Sequence, residues 1–308
     1  MNTVTRAALA AAERFMQLNA RLVDRHRFAY HFRGGPAEPV LAALRPYANP
    51  DGGYGNALEP DLRGAASQPV PAQHALEIFL ETGTTGDPAV SRLCDYLASI
   101  TTADGGVPFV LRSAGDAPHG PWWEPPPGQP AGSLVPTATL AGQLHHMGVD
   151  HPWLPPAIDF CWTRIEKLSE TSSYEAVAVL AFLDHMPERH RAEAAFDRLR
   201  GSFLANTALA PNATGEVHFP YDFAPHPGGF GRRVYDDATM DAHLDVLVAA
   251  QQEDGGWPVN WPIWTPVAGH DWRGWITVQR LLTLQAYGRL DPGAVPVDRS
   301  AGTADSRT

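Results

Sequence analysis

Apolar positions in this chain recur at helical spacing. Ala8, Ala11, Phe15, Leu18 and Leu22 fall three and four residues apart, on one face of a helix. Leu140, Leu144 and Met147 repeat the pattern, as do Ala176, Leu180 and Leu183, then Phe196, Leu199 and Phe203. Leu244 and Leu247, and later Trp275, Val278 and Leu282, continue it. These stripes predict helices over 4–32, 37–46, 70–84, 88–100, 134–148, 154–168, 173–185, 189–206, 236–252 and 272–288. No succession of alternating segments predicts a sheet, so the expected class is all-α.

Three of the intervening loops share a core: Asp51-Gly52-Gly53-Tyr54, Asp104-Gly105-Gly106-Val107 and Asp254-Gly255-Gly256-Trp257. Gly215-Glu216-Val217-His218-Phe219 and Gly228-Gly229-Phe230-Gly231 look like degenerate relatives. Paired glycines allow left-handed backbone after a helix, and the aspartate can accept from nearby N–H groups. Gly53, Gly106 and Gly256 are therefore expected in conformations costly for other residues. The first two copies lie 53 residues apart, the length of a helical hairpin with its loop. Such recurrence predicts a repeat architecture. Five or six hairpins closed into a ring give an α/α toroid, one domain over 1–291, with a small, polar tail at 292–308 expected to be disordered. Residues 112–133 are too rich in proline and glycine for a helix, and Trp122-Trp123 within them reads as a loop folded over the ring.

The loops, above all Gln251-Gln252-Glu253-Asp254-Gly255-Gly256-Trp257, resemble the repeat of the prenyltransferase and squalene-cyclase superfamily over roughly 36–290. The resemblance implies a toroid enzyme that is terpenoid cyclase-like. Its expected reaction is acid-initiated cyclisation or isomerisation of an apolar isoprenoid-like substrate in an aromatic-lined funnel. Gly255-Gly256-Trp257-Pro258 equally resembles a loop of pectate-lyase-like toroids. A carbohydrate-active lyase or glycoside hydrolase, with Arg63, Arg232, Arg233 and Arg273 available for a uronate, is thus the second reading. A non-catalytic helical-repeat scaffold with a filled ring is the third.

Composition narrows the partners. The 308 residues are 44% hydrophobic, enough for a packed core. Thirty-four acidic residues against 23 basic ones give a net charge of −11 with no basic stripe, so nucleic acid is not expected and a small-molecule substrate, isoprenoid or sugar, is. Lys167 is the only lysine, which leaves Schiff-base chemistry almost no residue to use. Cys94 and Cys161 sit on apolar stripes and read as core thiols. Asp159-Phe160-Cys161 has the letters of the zinc-binding Asp-x-Cys of protein prenyltransferases, but with Cys161 facing a core no metal and no cofactor are expected. No apolar run reaches 18 residues, and Glu13 and Arg14 interrupt the only leader-like stretch, so no membrane span and a cytoplasmic location are expected.

Candidate chemistry lies in four groups. The stretch 49–63 holds Asp51, Glu59 and Asp61, carboxylates close enough to separate each other's pKa into acid and base, with Tyr54 and Arg63 beside them as substrate contacts. The competing reading makes Asp51 a turn residue and Arg63 an ion-pair partner. Tyr235-Asp236-Asp237 resembles the Asp-x-Asp-Asp acid motif of class II terpene cyclases, with Val234 in place of the first Asp. The resemblance implies Asp236 as the acid, with Asp237 beside it; helix capping competes. Trp257, Trp261, Trp264, Trp272 and Trp275, with Trp122 and Trp123, could line a cavity or fill a core. His218, between Glu216 and Asp222, and His270, beside Asp271, could shuttle protons. These groups are expected on one rim, with at least one carboxyl partly buried and raised in pKa.

Overall fold

The structure, a computed structural model, describes residues 1–294 and holds twelve α-helices. They are α1 (Arg6–Asn19), α2 (Leu22–Arg33), α3 (Glu38–Leu44), α4 (Pro69–Glu81), α5 (Pro88–Ile100), α6 (Leu134–His146), α7 (Leu154–Ile165), α8 (Ser173–His185), α9 (Arg189–Ala205), α10 (Pro220–Phe223), α11 (Asp237–Ala249) and α12 (Pro266–Ala286). Among the described residues there is no strand, only isolated bridges.

Odd and even helices alternate as outer and inner arms of six hairpins. Inner helices pack side by side, α4 on α6, α6 on α8, α8 on α10, and α12 returns to α2. Side-chain pairs complete the circle: Arg27 of α2 meets Glu81 of α4, and Arg280 of α12 meets Asp222 of α10. The result is the all-α toroid. Close approach of α6 and α8 depends on Gly142, where a Cβ would lie 3.2 Å from the backbone of Phe182. Most of the predicted stripes are core: Leu140, Leu144, Ala176, Leu180, Leu183, Phe196, Leu199 and Phe203 are all buried. Burial pushes the Cys94 thiol up to about 12 and raises that of Cys161 as well.

The ring closes on a buried ion cluster. Arg27, wholly inaccessible, donates twice to Glu81 (2.9 and 2.7 Å) and once to Asp24 (3.0 Å). Its guanidinium lies 3.8 Å over the Trp275 ring of α12, and Gln279 donates to the same Glu81 carboxylate. Burial opposes the Glu81 charge, but Arg27 and the His31 hydrogen bond outweigh it and hold its pKa down at about 2.

Every outer-to-inner connection lies at one end of the ring, here called the mouth, and every inner-to-outer connection at the far end. The three Asp-Gly-Gly loops are all at the mouth, in the α3–α4, α5–α6 and α11–α12 connections. They share one hydrogen-bond pattern. Asn49, Thr102 and Gln252 each receive at their carbonyl from the first glycine of the pair and donate to the carbonyl of the second. Gly228–Gly231 lies instead at the far end, between α10 and α11. The glycine expectation is displaced by one residue. Positive φ falls on the first glycine, Gly52, Gly105 and Gly255, while the second is confined by packing, Gly256 against the Phe15 ring at 2.8 Å.

Other differences have local causes. The single helix expected over 4–32 breaks at Ala20–Arg21, where Arg21 takes an extended conformation and reaches across to Ala57 O and Leu58 O. Leu18 and Leu22, read as core, are therefore exposed. Helix α12 starts at Pro266, six residues before its predicted start, because Thr265 caps it and proline suits its first turn. Residues 112–133 form two short 3₁₀ turns, and Trp123 packs with Leu62, Val110 and Ala114 in a small cluster over the mouth. Of the predicted tail, residues 292–294 form a turn tied to Asp291, and 295–308 lie outside the described residues.

Gly255 has φ +96°, and a Cβ there would stand 2.2 Å from Ala11 O of α1; Gly83 has φ +66° and open space around it. Gly255→Ala should cost about 2–4 kcal/mol, against about 1 kcal/mol for Gly83→Ala. Chemical denaturation of both variants checks the difference, and equal costs would mean that the loop does not grip α1.

Candidate active site

The α3–α4 connection carries the candidate site. Two successive non-glycine residues, Asn56 (φ 54°) and Ala57 (φ 64°), are left-handed. That conformation is unfavourable for alanine and persists only when its surroundings fix it. Arg21 does so by donating to Ala57 O and Leu58 O, while Asn56 N bonds Gly64 O. The kink turns Glu59 and Asp61 inward, where they are 1% and 3% exposed.

Glu59 meets His74 of α4, with Nε2 and Oε2 2.8 Å apart. The other His74 nitrogen faces Glu77 at 3.5 Å. Burial works against an imidazolium, yet hydrogen bonds to Glu59 and Glu77 and their charges raise the His74 pKa to about 9. The ring is packed against Trp275 and Trp272, with centroids 4.6 and 6.1 Å away.

Asp61 is the unusual acid. Its backbone N–H donates to Glu59 Oε1 at 3.3 Å, and its Oδ2 accepts from the Trp272 indole at 2.8 Å. Burial pushes its pKa up to about 6, with the Glu59 charge adding to the rise and the indoles of Trp272, Trp264 and Trp122 pulling against it. Trp261 stands edge-on to Trp272 at 5.1 Å. A carboxyl that keeps its proton toward neutral pH thus sits among indoles at the mouth. Such a group can donate a proton, and the indole N–H groups can stabilise the carboxylate left behind.

The remaining expected residues are placed as follows. Asp51 closes its loop by accepting from Gly53 N and Ser67 Oγ. Tyr54 and Trp257 are core, Trp257 donating from its indole to Leu247 O. Trp123 stacks on Phe109 at 4.8 Å. Arg63 pairs with Asp271 at 2.8 Å, and Arg273 pairs with Asp254. Arg232 pairs with Asp237 and Arg233 with Glu193, so all four arginines offered for a uronate are ion-paired. His218 lies at the mouth, in the α9–α10 connection, edge-on to Tyr174 at 4.8 Å, and burial lowers its pKa. His270 is exposed.

Asp236 and Asp237 correct the single-rim expectation. They begin the outer helix α11, at the far end of the ring from Asp61. Asp236 caps the helix by accepting from Thr239 N at 2.7 Å, a bond that lowers its pKa, and Asp237 is exposed. An N-terminal turn rewards aspartate at both positions without any catalytic demand.

Sequence reading missed His74, Glu77 and Glu81, and Asp24, Arg27 and His31. Both sets are spaced three and four residues apart, so each forms one polar stripe on its helix. On a surface helix such a stripe faces water. On an inner arm of a closed ring it faces the axis.

No protein-family model matches the chain, and no curated protein does. Solved structures with this fold exist. A protein from Actinoplanes is 16% identical, with 92% of this chain and 89% of that one covered and a TM-score of 0.54. A variant of the type II terpene cyclase MstE from Scytonema, in complex with its product merosterolic acid A, is 12% identical over 91% of this chain and 86% of that one, with a TM-score of 0.54. Another variant, holding its substrate geranylgeranyl dihydroxybenzoate, is 11% identical over 92% and 87%, with a TM-score of 0.53. This chain therefore has a terpenoid cyclase-like fold. No helix among the described residues is long and apolar enough to cross a membrane.

The raised Asp61 pKa has a stability consequence. From about pH 4 to pH 6 the folded protein keeps a proton that the unfolded chain has released, so stability falls as pH rises through that window, by roughly 2–3 kcal/mol. Asp61→Asn, which keeps an oxygen for Trp272, should be more stable than the parent by about 1–3 kcal/mol at pH 8 and lose that advantage at pH 4. His74 acts in a separate window, its contribution complete below about pH 6.5 and lost as pH rises through about 9. Urea titrations of parent and variant at the two pH values check the sign.

Proposed function

We propose that the chain is a terpenoid cyclase-like enzyme that starts a cyclisation or isomerisation of an apolar, isoprenoid-like substrate by protonating it from Asp61. The observation that carries the reading is the Asp61 carboxyl, 3% exposed, raised to about 6 and ringed by indoles at the mouth of a toroid.

The chemistry is balanced within the substrate. An alkene π pair takes the Asp61 proton and becomes a C–H bond, the O–H pair stays on the carboxylate, and a carbocation forms at the adjacent carbon. Attack by a second double bond closes a ring, and return of a proton from the last cation to the Asp61 carboxylate restores an alkene and the acid. The product is an isomer of the substrate, with no co-reactant. Desolvation keeps the proton on Asp61 until it is needed, and Trp272 donates to the carboxylate as charge develops. The faces of Trp261, Trp264 and Trp272 are suited to a passing cation. Trp275 already gives a face to Arg27. Glu59, held by His74, adds a negative charge that favours the protonated form of Asp61.

The test is turnover of linear polyprenyl substrates carrying a terminal alkene or epoxide, with products separated by gas chromatography and mass spectrometry. The parent should form cyclic or rearranged isomers, at a rate that falls as pH rises through about 6. Asp61→Asn should lose at least about 100-fold in rate while remaining folded. Asp236→Asn should retain the parent rate. An active Asp61→Asn protein would remove the acid assignment.

A further inference from the structure

Asp61 has a cation within its own segment. Leu62 forms an antiparallel bridge with His119, and the hydrogen bonds beside it run from Gly120 N to Asp61 O (2.9 Å) and from Arg63 N to Pro118 O (3.1 Å). The backbone is therefore extended through 61–63, and extended backbone sends side chains two residues apart to the same face. Arg63 shares a face with Asp61. Its Nη1 donates to Pro60 O at 3.3 Å, the carbonyl immediately before Asp61, so the guanidinium already lies alongside the backbone of the acid. Opposite charges so placed would ordinarily pair and hold the carboxyl ionised.

That pair is not made. The same Nη1 donates to Asp271 Oδ2 of α12 at 2.8 Å, and among the described residues no Arg63 nitrogen donates to Asp61. The side chains of Arg63 and Asp271 are 30% and 15% exposed, so water screens their charges only in part. The other titratable groups near the acid are engaged elsewhere or face water. Glu59 holds His74 of α4, and His119 of the α5–α6 connection pairs with Glu124 at 3.0 Å. Arg21, at the start of α2, is held by Asp24 and two carbonyls, and His270 is exposed. Tyr47, which feels the charges of both Arg63 and Asp271, is raised in pKa by burial and stays neutral. Arg63 is thus the cation best placed to neutralise Asp61, and Asp271 is the group that occupies it.

We propose that Asp271 is a positioning residue of the candidate site, a counter-ion that holds the Arg63 guanidinium off the Asp61 carboxyl. The inference deepens the Asp61 reading and rests on it. An acid that must give its proton to a weakly basic alkene is lost if a guanidinium stabilises its carboxylate beforehand. The arrangement uses Arg63 to fasten the α3–α4 connection to α12 and leaves the acid with an indole donor, a dipole without net charge. Asp271 touches no reacting atom and acts only through Arg63.

Urea unfolding of the whole chain at pH 8 tests this without any turnover. In the parent, Asp61→Asn should raise the unfolding midpoint, because it removes a desolvated carboxylate. In an Asp271→Asn background the freed guanidinium should turn to Asp61, and Asp61→Asn should then lower the midpoint or leave it unchanged. Removing the guanidinium as well, in an Arg63→Gln, Asp271→Asn background, should restore the rise, and Asp271→Glu should preserve it. A rise of equal size in the Asp271→Asn background would overturn the proposal, since Arg63 would not have reached Asp61. So would an Asp271→Asn chain that unfolds and is recovered by Asp271→Glu but not by loss of Arg63, because the pair would then only fasten the connection. A parent that gains nothing from Asp61→Asn would remove the acid reading itself, and this inference with it.

Discussion

Closure of the ring on Arg27 is the constraint from which the remaining geometry follows. One guanidinium with no access to water joins the first inner helix to the second through Glu81 and lies on Trp275 of the last. A buried ion pair of this kind is a weak source of net stability, but it is costly to break, because a lone charge would be left in the core. It therefore specifies which helices are neighbours more than it strengthens them. Arg21, six residues earlier, extends the same cluster through Asp24 and holds the left-handed Ala57 backbone that aims Glu59 and Asp61 inward.

Seen from the axis, the interior is a graded set of charges. Deep pairs such as Arg27–Glu81 are balanced and hold their carboxylates ionised. Nearer the mouth, His74 is shared by two carboxylates, and Asp61 has indole donors but, among the described residues, no cation paired with it. Desolvation without a counter-ion is what raises a carboxyl pKa, and here it falls on the one acid placed among aromatic rings. The fold gives up some stability above pH 6 to keep Asp61 in that position, a pattern expected of sites selected for chemistry rather than for packing.

The toroid was legible in the sequence because stripes such as Leu140–Leu144 and Phe196–Leu199–Phe203 follow burial directly, and because Asp-Gly-Gly loops mark outer-to-inner turns. The 49–63 stretch was legible as a candidate site for its density of carboxylates. Asp61 could not be separated from Asp51 there, since both sit in polar loops and only the fold buries one. Asp236 misled because a cap and an acid motif use the same letters. His74 and Arg27 were hidden because a polar stripe on a helix looks like a solvent face until the ring is closed. The break at Ala20–Arg21 was hidden because Leu18 and Leu22 continue the apolar spacing past the point where the chain turns.

The acid role of Asp61 stands on the protonation state of that one side chain. Carbon-13 NMR of the protein labelled at aspartate Cγ, with Asp61→Asn to assign the resonance, follows that state directly across pH. A titration midpoint near 6 is the predicted result. A midpoint at or below about 4, the ordinary aspartate range, would mean that burial does not hold the proton on Asp61, and the acid role would fall with it.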